Sequence, residues 1–238
     1  MFLNIGILVD NLEAILMDTS PEIAGRIEFF GGFLEWLEFK VHYISRISSD
    51  ELSKGRLLII AGKKYDRYSS DEINIITKHD HAGHRLLVMV DSDSVPFFDS
   101  TYSLLKDIGI YPDPTIIREN GKLEFATKNI NRNHRITIGI SELVFRNAVR
   151  FILAQKKAYP IDILVRSEKN QQPPDAILSC VAKFGNGRVM AISTWEIATE
   201  DLIGESDNAL FLVSSIYWLL DRSPPPDLVQ RIERILIK

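Results

Sequence analysis

The sequence predicts an α/β protein: a doubly wound, mostly parallel sheet with helices on both faces and an antiparallel hairpin at its margin. Three observations predict it. Arg56-Leu-Leu-Ile-Ile-Ala61 and Arg85-Leu-Leu-Val-Met-Val90 are unbroken apolar runs, the mark of strands buried on both faces. Stretches of helical periodicity alternate with such runs through the N-terminal half. Near the other end, the strand-like run Gly187–Trp195 is followed by a polar loop and then Ala209–Leu220, apolar almost all round. A helix of that kind cannot face water and must cover the sheet from inside.

Taken in order, Asn4–Asp10 reads as a first buried strand ending in an acidic loop. Ser20-Pro21-Glu22 starts a helix: Ser caps, Pro suits the first helical position, and Glu meets the positive end of the dipole. That helix runs through Ile23, Ile27, Phe30, Leu34 and Leu37 toward Phe39, and Gly31-Gly32 marks either a break or a close approach. Val41–Ile44 and Arg56–Ala61 are strands, Ser70 opens a helix ending near Gly83, and Arg85–Val90 is a fourth strand. A helix follows from about Asp99 to Lys106, closed by Gly109. Thr115–Arg118 and Lys122–Ala126 read as a hairpin across Asn120-Gly121. Ser141–Tyr159 reads as largely helical, and Ile161–Val165 as a strand followed by a flexible polar loop, Ser167–Asp175. Ala176–Phe184 and Arg188–Ser193 form a hairpin across Gly185-Asn186-Gly187. Pro224-Pro-Pro-Asp227 then opens a short helix with Leu228, Ile232, Ile235 and Leu236 on one face.

Composition bounds the function. With 238 residues, 45% hydrophobic and 25% charged, the chain is an ordinary globular protein. We expect one α/β domain over 1–222 and an amphipathic helix over 223–238. A net charge of -4 gives no reason to expect nucleic acid as a partner. The single cysteine, Cys180, fits a reducing, cytoplasmic setting. Phe2–Val9 is interrupted by Asn4 and lacks a basic leader region, and no run reaches the roughly 18 apolar residues of a membrane span.

Three stretches together resemble a known family. "LLIIAGKKYDRYSSDEINIITKHDHAGHRLLVMVDSD" (57–93) resembles the core of class I glutamine amidotransferase-like domains. "HRITIGI" (134–140) resembles the His-x-Ile-Thr-x-Gly segment of the branch that contains gliding-motility ABC-transport accessory proteins and an intraflagellar-transport subunit. "GRVMAISTWEIATEDLIGESDNALFLVSSIYWLL" (187–220) resembles that branch's closing strand and its Asp-Asn-capped helix. The resemblance implies a flavodoxin-like fold and a role as a binding or assembly domain. Catalytic members place a Cys in a Gly-x-Cys-x-Gly elbow after the strand that here ends at Val90. This chain has Asp91-Ser92-Asp93, and Trp195-Glu196 stands where a His-x-Glu pair would follow the late strand.

The candidate ligand edge comprises Asp10, Asn11, Gly62, Asp91, Ser92, Asp93, Trp195 and Glu196, all placed just after strands. Ser92 sits at the family's nucleophile position between two carboxylates that oppose alkoxide formation, so no catalytic residue is assigned. Asp10, Asp91 and Asp93 at one sheet edge could hold Mg²⁺ with a phosphate, although no glycine-rich phosphate loop accompanies them. His79, His81 and His84 read as a helix C-terminal cluster meeting the dipole rather than as a zinc site, because positions two apart diverge on a helix. Cys180 reads as a buried hydrophobe, and Trp195 as either a pocket wall or core cover. The C-terminal helix either folds back or presents its stripe to another chain.

The resulting expectation is a non-catalytic, amidotransferase-like binding or assembly subunit without cofactor or metal, its partner a protein, with a second copy among the candidates. The alternative is a hydrolase or Mg-dependent phosphate-ligand binder working at Asp10, Asp91 and Asp93. A small-metabolite or oligosaccharide receptor using Trp195 is a third reading.

Overall fold

The computed structural model describes residues 15–18, 27–62, 68–90, 92, 100–155 and 159–237. The first half runs β1 (Ile15–Asp18), α1 (Glu28–Trp36), β2 (Val41–Ile44), α2 (Ser49–Leu52), β3 (Leu57–Ile60), α3 (Ser70–His81), β4 (Arg85–Met89) and α4 (Ser100–Leu105). Seven strands follow before the hairpin: β5 (Ile110–Ile116), β6 (Arg118–Glu119), β7 (Glu124–Thr127), β8 (Leu143–Arg146), β9 (Val149–Leu153), β10 (Ile161–Arg166) and β11 (Gln171–Gln172). The hairpin is β12 (Ile177–Phe184) and β13 (Gly187–Ile192), after which come α5 (Glu200–Ile203), α6 (Asn208–Leu219) and α7 (Leu228–Leu236).

Nine strands make one sheet in the order β2-β1-β3-β4-β13-β12-β9-β5, with β10 alongside β12. Strands β2, β1, β3, β4 and β13 are mutually parallel, and the margin beyond β13 is antiparallel. Alternate side chains serve opposite faces. Leu57, Ile59, Leu87, Met89, Met190 and Ile192 pack with Phe30 of α1, Phe211 of α6 and Ile232 of α7. Leu58, Ile60, Leu86, Val88, Val189 and Ala191 pack with Ile76 of α3 and Leu104 of α4. Helices therefore cover both faces, as the continuous apolar runs require.

Helix α3 starts with a capping box in which Ser69 and Glu72 satisfy each other's backbone amides, one residue earlier than Ser70. Helix α6 is buried along most of its surface. Its last carbonyls, which have no partner inside the helix, are taken by arginines from elsewhere. Arg85 Nε donates to Leu219 O at 2.6 Å, Arg188 donates to Trp218 O, and Arg135 donates to Arg222 O just beyond. Helix α7 folds back on its own domain through Leu228 and Ile232, both buried in the main core.

Several expectations need correction. The stretch 141–159, expected as helix, holds β8 and β9, in which Leu143, Phe145, Val149 and Phe151 are buried and their neighbours are less so. That is a strand's period of two. The expected strand 4–10 and the helix start at 20–22 lie outside the described residues, whereas the unexpected β1 sits between β2 and β3. Asn120 and Gly121 do turn, with φ of 50° and 80°, and a single bridge joins Glu119 to Lys122. The flanking strands nevertheless pair elsewhere: β6 with β11 and β7 with β8. The loop 167–175, expected to be flexible, is tied down. Gln171 is buried and donates to Ala126 O at 2.7 Å, and Ser167 Oγ donates to Pro173 O at 2.8 Å.

Helix α1 continues through Gly31-Gly32, and Tyr43 packs so closely on Gly31 that a Cβ there would collide with its phenol oxygen. At Gly32 a Cβ would meet nothing within 4 Å among the described residues. Gly32→Ala should therefore stabilise the protein by about 0.5–1 kcal/mol, raising Tm by about 1–4 °C for a domain of this size. A thermal melt that moves down instead would show that this face is covered.

Candidate functional site

The parallel strands deliver their C-terminal ends to one edge. There β1 ends in Asp18, β3 runs into Ala61-Gly62, β4 into Val90 and Ser92, and β13 into Ser193–Glu196. Val90 N–H donates to Ile192 O and Trp195 N–H donates to Val90 O, each at 2.9 Å, so the exits of β4 and β13 are laced together. Gly62 turns the chain with φ +67°, a conformation that costs glycine little. The described strand order reverses between β1 and β3, and open α/β sheets bind ligands in the crevice outside such a reversal. Gly62, Ser92, Trp195 and Glu196 thus share this edge. Asp10, Asn11, Asp91 and Asp93 lie outside the described residues.

Glu196 is engaged by the scaffold. Asn147 Nδ2 donates to Glu196 Oε1 at 2.6 Å, and Arg146 Nε stands 3.9 Å from Oε2. Arg146 also pairs with Glu124 at 2.7 Å, and Asn147 takes a left-handed φ of 51° at the β8–β9 junction. The carboxylate therefore fastens that junction to the end of β13. Glu196→Ala should cost about 1–2 kcal/mol, because the Asn147 amide loses its acceptor. Glu196→Gln keeps an acceptor oxygen and should stay within about 0.5 kcal/mol, the small value of a partly exposed ion pair. Urea midpoints of the two variants check this, and equal losses would assign the effect to charge. Trp195 is half-buried and packs against the main core. Ser92 lies in a turn, also half-buried.

Sequence reasoning missed the pair at the β1–β3 reversal. Asp18 is buried, and the Tyr68 hydroxyl, also buried, donates to its Oδ2. The signal was available: Ile15-Leu-Met-Asp18 is an apolar run ended by a carboxylate, the same pattern that singled out Asp10 and Asp91. Ser193, just past β13, buries a hydroxyl without a hydrogen-bond partner among the described residues, which is uncommon for a native interior.

The histidines at the opposite edge hold structure. The rings of His79 and His84 stack with centroids 3.7 Å apart, and His79 Nε2 lies 3.0 Å from Leu52 O. Burial, aided by the proximity of His84, pushes the His79 pKa down to about 4. His79 is thus neutral near pH 7 and does not supply the positive charge expected at the helix end. His81 sets its ring edge-on to Phe184. Among the described residues, no group of three His, Cys, Asp or Glu side chains could hold a metal ion. Cys180 is fully buried in β12.

The residues that carried the family resemblance are also structural. His134 Nδ1 accepts from Ile136 N–H at 3.2 Å and so caps the 3-10 turn Arg135–Thr137. Thr137 Oγ1 donates back to His134 O at 2.9 Å. Asp207 and Asn208, expected as caps of α6, make no side-chain cap there and instead clamp the segment leading into β8. Asp207 accepts from Ser141 N–H and Oγ, each at 2.6 Å. Burial alone would raise the Asp207 carboxyl, but these donors and the Glu142 amide outweigh it and hold its pKa below the usual range. Asn208, fully buried, exchanges two hydrogen bonds with the Val144 backbone, as a strand partner would, and donates to Leu202 O.

No protein-family model matches this sequence, and no curated protein matches it. Its fold is similar to that of solved structures. One is "mmIFT52 N-terminal domain", with a TM-score of 0.76 at 14% identity, covering 89% of this chain and 99% of that one. The cytoplasmic protein STM3548 from Salmonella typhimurium gives a TM-score of 0.60 at 12% identity over 87% of this chain and 99% of its own. A ThuA-like protein from Bacteroides uniformis gives 0.56 at 13% identity over 88% and 91%. At these identities the likeness is one of fold. No helix among the described residues is long and apolar enough to cross a membrane.

Proposed function

We propose that the chain is a non-catalytic, amidotransferase-like domain that acts as a binding or assembly subunit for a protein partner. The observation that carries this reading is the fate of Glu196. At the position where the catalytic relatives have a His-x-Glu pair, the carboxylate serves Asn147 at 2.6 Å and faces Arg146. It orients scaffold instead of a base. The nucleophile position, Ser92, lies in a sequence without the glycines or the cysteine of the elbow, and a serine there has no assigned base to activate it. The fold-level likeness to the IFT52 N-terminal domain over nearly the whole of both chains agrees with the branch whose motifs the sequence resembles. This reading includes a cytoplasmic setting, consistent with the single buried cysteine, and no role for nucleic acid. It leaves Gly62, Ser92, Trp195 and Glu196 as a vestigial edge.

The experiment is affinity purification of the tagged full chain from its native cells with quantitative mass spectrometry. A co-purifying protein in fixed stoichiometry, retained equally by Ser92→Ala and Glu196→Gln, is expected. A chain that recovers only itself, or whose partner is lost with Ser92→Ala, would count against the proposal.

A further inference from the structure

Among the described residues, seven large hydrophobic side chains are markedly exposed: Trp36, Tyr43, Ile138, Ile152, Val229, Leu236 and Ile237. Three of them, Val229, Leu236 and Ile237, gather in one place, which scattered surface residues would not do. Helix α7 docks through Leu228 and Ile232, leaving Val229, Glu233 and Leu236 on its adjoining face at the i, i+4, i+7 spacing. Val229 is 46% and Leu236 38% exposed, and Ile237, just past the helix, is 85% exposed. This face forms one wall of a groove of about 250 Å³ whose other wall is the start of α6, with Leu210 and Asp207. The groove is smaller than the roughly 300–1,000 Å³ of small-molecule pockets, and it suits a few side chains of a docked element.

Its lining is acidic, with Arg132 close enough to Asp207 to help hold that carboxyl ionised. Both ionisable residues lining it, Asp207 and Glu233, are acids, and the exposed Glu205 stands between two lining residues. Asp207 remains ionised because its Ser141 and Glu142 donors hold its pKa low against the opposing effect of burial. A second copy docking the same face would set Glu233 and Asp207 against their own kind, and like charges brought together oppose association. Resting on the protein-binding role proposed above, we propose that the α6–α7 groove receives an amphipathic helix of a partner protein, with apolar anchors at i, i+3/i+4 and i+7 and lysines or arginines on its flanks. Helix-in-groove recognition supplies the apolar contact area, and the acidic walls select the basic flank.

The probe is a synthetic amphipathic helix of leucine and lysine, titrated into the full chain by calorimetry beside a leucine–glutamate peptide of the same pattern. Leu236→Lys and Ile237→Lys alter exposed side chains, and circular dichroism verifies that both variants remain folded. The lysine peptide should bind wild type and lose about tenfold or more in affinity, some 1.4 kcal/mol, to either variant. The glutamate peptide should bind at least as poorly to wild type. Equal affinity of wild type and variants for the lysine peptide overturns the proposal. So does a concentration-dependent dimer that Ile237→Lys dissociates, which would assign the groove to a second copy. Recovery of the same cellular partner by wild type and Leu236→Lys overturns the groove while leaving the binding role intact. Failure of wild type to retain any protein overturns the binding role, and the peptide titration still decides the groove.

Discussion

Replacing Asn208 by alanine is expected to lower the unfolding free energy by about 3–4 kcal/mol, with Tm falling by about 10 °C. Asn208 has no exposed surface, and its side chain accepts from Val144 N–H at 3.0 Å and donates to Val144 O at 2.9 Å and Leu202 O at 2.8 Å. Truncation leaves the part-buried N–H and carbonyl of Val144 facing a void, at about 1–3 kcal/mol each before local relaxation, while Leu202 O keeps the Glu205 N–H. The loss should appear as a lower urea midpoint with an unchanged slope, since the surface exposed on unfolding stays the same. Asn208→Asp should be at least as damaging, because a carboxylate would confront two carbonyl oxygens. A loss below about 1 kcal/mol would mean that the segment into β8 is held by something other than this amide.

Asp80→Asn is expected to do the opposite, stabilising the protein increasingly as pH rises. Asp80 lies near the end of α3 against Gly187, close enough that a Cβ at Gly187 would fall 2.2 Å from its Oδ1. Neither carboxylate oxygen has a hydrogen-bond partner among the described residues. Arg85 is the attractive charge, but its guanidinium is donated to the carbonyls of Leu219, Gly83, His84 and Asn186. Burial therefore dominates and raises the Asp80 pKa from 3.8 to about 8, with Arg85 offsetting only part of it. A carboxyl whose pKa is higher when folded binds more protons in the native state, so stability declines as pH climbs from about 4 to about 8. The amide mimics the protonated acid at every pH. Wild type and Asp80→Asn should thus have similar stability near pH 4. By pH 7–8 the variant should be ahead by about 2–4 kcal/mol, below the full 1.36 kcal/mol per pH unit because interiors relax and admit water. Parallel pH titrations of the denaturation midpoint measure the difference, and a constant gap would show that Asp80 finds a partner when it ionises.

The sheet's centre was legible because β3, β4 and the β12–β13 hairpin carry their burial in their own residues. The same holds for α6. Strands β8 and β9 were also written locally, as Leu143/Phe145 and Val149/Phe151 alternation, but Asn147 interrupts the pattern and the apolar density of the whole stretch resembles a helix. The candidate site was less legible because its side chains act across the chain. Tyr68 reaches Asp18 over 50 positions, Asn147 reaches Glu196 over 49, and Ser141 reaches Asp207 over 66. A carboxylate after a strand, or an Asp-Asn pair before a helix, looks locally like a ligand or a cap. Only the fold reveals that each is committed to a distant segment.

The function proposed above is that of an amidotransferase-like frame without the reaction. It is tested most directly by following glutamine with concentrated full-length protein by proton NMR and an ammonia assay. Glutamate and ammonia should not rise above the protein-free blank. Saturable release that disappears in Ser92→Ala would contradict the account.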